Sequence, residues 1–142
     1  TMYQYMIEIY EDLGMYYEGL VNVVKKGRTG AEEISQMMMD FRNNPVKELA
    51  GSKVTEIKDF QEQTSLNLID NQKSIMDEIP KSNVLSYYTE DGTKVCIRPS
   101  GTEPKIKFYV SVKDSITSEE DFNAKLIQAE NKIQKIKADL KL

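Results

Sequence analysis

The stretch that decides the fold is Val84-Leu85-Ser86-Tyr87-Tyr88-Thr89-Glu90-Asp91-Gly92-Thr93-Lys94-Val95-Cys96-Ile97-Arg98, followed after one bend by Lys105-Ile106-Lys107-Phe108-Tyr109-Val110-Ser111-Val112-Lys113. Its first half reads as two strands, Val84 to Thr89 and Lys94 to Arg98, flanking Glu90-Asp91-Gly92-Thr93. Asp-Gly is a strong hairpin signal because both residues tolerate the positive φ of a tight turn. The last run alternates with period two: Ile106, Phe108, Val110 and Val112 on one side, Lys105, Lys107, Tyr109, Ser111 and Lys113 on the other. Successive side chains of a strand point to opposite faces, so this strand has one buried and one wet face. Such patterning belongs to an antiparallel sheet packed on one side.

Working outward, Thr117-Ser118-Glu119-Glu120 predicts a capping box, and Phe122, Leu126, Ala129, Ile133, Ile136 and Leu140 then recur at steps of four and three. This is a helix with an apolar seam that covers the sheet; fewer than three full heptads count against a coiled coil. Upstream, Lys53 to Phe60 reads as a strand. Residues 61–82 form a polar connection without a motif, and such long connections are either functional or mobile. Met15 to Val24 reads as a strand ending at Lys25-Lys26-Gly27. Thr29 stands three residues before Glu32, another capping-box spacing, and Ile34, Met37, Met38 and Phe41 follow as one helical stripe of core residues. Asn43-Asn44-Pro45 stops that helix. At the start of the chain, Met2, Tyr5, Met6, Ile9 and Leu13 fall at helical spacing and Gly14 supplies the stop. Residues 1–16 are therefore expected to be the last helix of a preceding domain, and 17–142 the domain proper. Their exposed stripe is expected either to fold back on that domain or, preferentially, to pair with a second copy. Together the elements predict an α+β layer fold.

Composition narrows the chemistry. With 142 residues, 39% apolar and 30% charged, the chain is a single-domain length with an ordinary soluble balance. No apolar run approaches the ~18 residues of a membrane span, so no membrane partner is expected. The single cysteine, Cys96, rules out an internal disulfide and fits a reducing, cytoplasmic compartment. The absence of histidine removes Ser-His-Asp triads, Cys-His dyads and nearly every zinc site. A net charge of −4 opposes non-specific nucleic-acid binding by the whole surface.

The bend Arg98-Pro99-Ser100-Gly101-Thr102-Glu103-Pro104-Lys105 is where chemistry concentrates. Its prolines stiffen the turn, and Gly101 permits positive φ and close approach of a ligand to backbone amides. From Gly92 to Lys113, five basic residues (Lys94, Arg98, Lys105, Lys107, Lys113) face one acid, Glu103, a local charge of +4. A guanidinium fork, hydroxyls and free amides on a rigid turn describe a phosphate or carboxylate site. By residues alone, a plain hairpin whose lysines solvate the outer face stands beside that reading. No Gly-Lys-Ser/Thr follows a glycine-rich run, so this is not a Walker loop. Glu103 lacks a paired carboxylate in sequence and is expected to orient Arg98 or a backbone amide.

Arg98 to Tyr109 closely resembles the phosphate-binding loop of the α-D-phosphohexomutase superfamily, which includes the phosphoglucomutase/phosphomannomutase family. Ile9 to Tyr17 is similar to the passage from the third domain of those enzymes into the fourth. The resemblance implies a C-terminal domain with a TATA-box-binding-protein-like antiparallel sheet and helices on one face. It implies further that Arg98, Ser100, Gly101 and Thr102, with Lys105 and Lys107, hold the substrate phosphate that is not being transferred. Such enzymes interconvert hexose 1-phosphate and 6-phosphate through a hexose 1,6-bisphosphate, with Mg2+ and a phosphoserine. The phosphoserine loop, the Asp-Gly-Asp metal loop and the sugar-recognition loop have no counterpart here, and Asp91-Gly92 belongs to a hairpin. No catalytic residue, metal site or resident cofactor is therefore expected in this chain. Its expected partners are a phosphosugar and the remaining domains of a parent chain, with no nucleic acid. A stand-alone anion- or nucleic-acid-binding module is the alternative from another class, and Tyr109 is the clearest stacking aromatic on that face.

Overall fold

A computed structural model describes residues 1–142. In chain order the elements are α1 (Met2–Leu13), β1 (Met15–Val24), α2 (Gly30–Asn43), β2 (Glu48–Leu49), β3 (Ser52–Asp59), β4 (Thr64–Asn67), β5 (Gln72–Ile75), β6 (Leu85–Thr89), β7 (Lys94–Pro99), β8 (Lys105–Asp114) and α3 (Glu119–Asp139). The sheet is antiparallel throughout and ordered β1-β8-β7-β6-β3-β4-β5, with β2 paired to β3. The predicted antiparallel α+β architecture is what the chain adopts. Ile106, Phe108, Val110 and Val112 are all buried, as their alternation requires.

The helices share one face of the sheet. α3 lies over β1 and β8, and α2 over β7 and β8. Phe41 of α2 meets Phe108 edge to face, ring centroids 5.6 Å apart. The fully buried Tyr87 donates its hydroxyl to the Phe41 carbonyl at 2.6 Å, fastening the end of α2 to β6. Burial pushes the Tyr87 phenol well above its ordinary value, a shift that neighbouring Arg42 opposes and Asp59 reinforces. Arg42 in turn reaches Asp59 at 2.7 Å and the Asn83 side chain at 3.0 Å. From α3, Ala129, Ile133 and Ile136 enter the core, and Leu140 follows at its C-cap, continuing the seam read from sequence.

Four local expectations change. Thr29 makes no side-chain cap: its backbone is already helical (φ −91°, ψ −3°), and its hydroxyl donates to Glu33 at 3.1 Å, not within a box with Glu32. The second box does not form: Ser118, one residue later than read, is the N-cap and accepts from the Asp121 amide, while the Asp121 carboxylate accepts from the Thr117 amide and not from the cap's own. Part of the polar connection 61–82 is the hairpin β4–β5, turning through Asp70 and Asn71, the latter at φ 55°. Finally, α1 docks in cis through Ile7, Tyr3 and Tyr10, with Tyr10 stacked on Phe122 of α3 at 5.8 Å. The stripe Met2, Tyr5, Ile9 and Leu13 faces outward instead. Met15 and Tyr16, at the start of the strand read from sequence, pair with Asp114 and Lys113 of β8.

Candidate anion-binding site

Opposite the helices, the sheet presents an open face. Arg98 of β7 and Lys107 of β8 are direct cross-strand partners there, and Asn22 of β1 is the next partner of Lys107. Like charges directly opposite destabilise a strand pair. The six ion pairs of the chain include neither residue, so nothing in the protein relieves the repulsion. Both side chains line a concavity of about 220 Å³ with Pro99, Ser100, Gly101 and Tyr109.

The bend between β7 and β8 closes that concavity from one end. Its shape is held by two short bonds, Ser100 N–H to the Lys105 carbonyl and Lys105 N–H to the Glu103 carbonyl, both 2.7 Å. Ser100 Oγ accepts the Thr102 amide at 3.4 Å. The amides of Gly101 and Glu103 donate to no atom of the protein. From below, the Pro104 carbonyl accepts from Lys25 at 2.9 Å, and Gly30 admits α2 close against Pro104. A Cβ at Gly30 would sit 2.7 Å from the Lys25 carbonyl oxygen and 3.0 Å from Pro104 Cβ. The first turn of α2 therefore braces the bend.

Of the residues singled out in sequence, Arg98, Ser100, Gly101 and Lys107 converge on one concavity. Thr102 stands outside it, lining a second cavity of about 380 Å³ between the bend and α2. Lys105 is also outside, on the open face with its ammonium 3.9 Å from Glu103. Glu103 thus makes its contact with Lys105 and leaves Arg98 free. Gly101 is not in the left-handed region, and an added Cβ would meet no atom within 4 Å. Its use is the open approach to the amides. Tyr109 also lines the concavity; sequence reasoning placed it on the wet face and as a stacking aromatic for the alternative module, not among the phosphate ligands. The period-two alternation was its signal.

No group of three or more acidic or cysteine side chains converges to hold a metal ion, so the magnesium implied by the resemblance finds no fitting donor set in this chain. Asp91 illustrates why: its carboxylate accepts from Thr89 Oγ1 at 2.5 Å, from the Thr93 amide at 3.1 Å and from Lys132 Nζ. Burial alone would raise its titration point, but these bonds outweigh it and hold the carboxyl well below the usual range.

The family described as "Phosphoglucomutase/phosphomannomutase, C-terminal domain" matches residues 42–129. The chain is similar to a phosphoglucomutase of Staphylococcus aureus strain MRSA252, 37% identical over 113 residues, covering 80% of this chain and 20% of that protein. A phosphoglucomutase of Staphylococcus aureus strain bovine RF122 / ET3-1 is 36% identical over the same length and shares. The chain spans about a fifth of the length of these curated relatives. Among solved structures, it is similar to the open form of the exocytosis-sensitive phosphoprotein pp63/parafusin of Paramecium, at a TM-score of 0.43 and 15% identity, covering 98% of this chain and 23% of that one.

Proposed function

The chain belongs to the phosphoglucomutase/phosphomannomutase family, as its C-terminal domain, and from that membership we propose that its open-face concavity holds the non-transferring phosphate of a hexose phosphate. The observation that carries the reading is the unpaired cross-strand couple Arg98 and Lys107 beside the free Gly101 amide. A phosphate dianion between the two cations turns a repulsive pair into two attractive ones. Arg98 offers a planar fork for two phosphate oxygens, Lys107 a point charge, and Ser100 a hydroxyl donor. These donors recognise the phosphate and not its position on the sugar. The same site therefore serves either end of a molecule whose phosphates exchange places.

In this reading the parent protein interconverts hexose 1-phosphate and 6-phosphate through a bisphosphate in the cytoplasm, with magnesium and a serine nucleophile held by other domains. The chain alone then binds phosphate without turning over glucose 1-phosphate. On an open, solvated site the expected dissociation constant is on the order of 1 mM. Phosphate titration followed by backbone amide shifts tests it. Arg98→Ala should weaken binding far more than Lys113→Ala, whose ammonium instead lies over Tyr16, 5.5 Å from the ring centroid. Equal losses, or tighter binding of an oligonucleotide than of phosphate, would overturn the reading.

A further inference from the structure

A second row of side chains runs beside the cationic one. Leu20, Tyr109 and Cys96 are direct partners across β1, β8 and β7, two residues along each strand from Asn22, Lys107 and Arg98. Two residues of extended strand span about 7 Å. Over this row lies a groove of about 560 Å³ that shares Arg98 and Tyr109 with the anion concavity and adds Leu20, Val84 and Cys96 to its walls. Tyr109 is 41% exposed and Leu20 52%, and both lie on the open side. At the far end Glu18 and Lys94 bring opposite charges, leaving no net charge there for a second anion.

Resting on the phosphate reading above, we propose that this groove is a subsite for the uncharged ring of the same phosphate ester, lying flat on Tyr109 while its phosphate sits between Arg98 and Lys107. The spacing of the rows suits the occupant. A ring joined to phosphorus through one bridging oxygen begins where the cationic row ends and lies over the next row. The ring stacks on the Tyr109 face, and Leu20 and Cys96 exclude water from its edges. Its opposite face remains open, as expected of one wall of a larger cleft.

The test compares inorganic phosphate, glucose 1-phosphate and phenyl phosphate by amide-shift titration of the full chain. Both esters should bind more tightly than inorganic phosphate, and they alone should shift Leu20 and Cys96. Tyr109→Ala should remove roughly three- to tenfold of the ester advantage, read as the ratio of ester to inorganic phosphate affinity. Tyr109→Phe, which keeps the ring, should preserve the ester advantage, and Leu20→Ser, on an exposed position, should reduce it. Equal affinity of all three ligands, or an advantage that survives Tyr109→Ala, overturns the subsite and leaves the phosphate reading standing. Absence of saturable inorganic phosphate binding overturns that reading, and the subsite with it.

Discussion

Arg98 stands across from Lys107 without an acid between them, and no carboxylate of the chain pairs with either. Glu103, the nearest acid in sequence, is drawn aside to Lys105. Gly101 extends the same logic to the backbone. Its conformation is one that any residue adopts, and no protein atom lies within 4 Å of the place a Cβ would take. Gly101→Ala should therefore leave stability unchanged or raise it by about 0.4–1 kcal/mol through the unfolded chain. It should nevertheless weaken phosphate binding, because the methyl group occupies the approach to the amides. Thermal melting and phosphate titration on one sample check both halves; a loss of stability with unchanged binding would return Gly101 to a plain turn residue. Sequence pointed to Arg98, Ser100, Gly101 and Lys107 but grouped Thr102 and Lys105 with them, and the positive φ it allowed Gly101 is not used, since Ser-Gly-Thr between prolines fits turns of either φ sign.

At the scale of elements, the turn between β6 and β7 is also a fastening point for α3, because Lys132 reaches Asp91. Asp91 titrates lower folded than unfolded, so its contribution is complete above the unfolded value near pH 4 and fades as pH falls through the folded value. Asp91→Asn keeps a favourable Asn-Gly turn but loses the charge. It should cost about 1 kcal/mol at pH 7, a partly exposed pair being screened by solvent. The gap to the parent chain should narrow below pH 4, as urea midpoints at both pH values would reveal. The strands around this turn were legible because Asp91-Gly92 marks a hairpin, and β8 because Ile106, Phe108, Val110 and Val112 alternate without a break. The hairpin β4–β5 was not, because a strand with no covered face needs no apolar period, and all four residues of β5 are exposed. The helix caps slipped for a subtler reason. Thr117 and Ser118 both satisfy the composition of a box, and only backbone direction chooses between them.

For the whole molecule, the one-sided sheet was readable but its strand order was not, because partners distant in sequence leave no local trace. The face by which α1 docks left no local trace either: Phe122, far along the chain, receives Tyr3 and Tyr10. Met2, Tyr5 and Leu13 remain exposed on the other side. The chain by itself should consequently show a mass above the monomer at high concentration in light scattering, and Tyr5→Glu with Leu13→Glu should return it to the monomer. A monomeric mass for the unsubstituted chain at every concentration would mean that this stripe supports no pairing. The pairing of β1 with β8 also sets an order of events. Met15 meets Asp114 and Val24 meets Lys105, so the longest ladder of the sheet joins β1 to a strand made well after it. Contacts of such sequence separation slow folding, since the loop must close before any of them forms. During synthesis β1 must wait unpaired until residues 105–114 leave the ribosome. Arg98 stands alone until then, and Lys107 and Tyr109 arrive with the strand that completes the sheet, so a growing chain acquires its anion site only as it finishes folding.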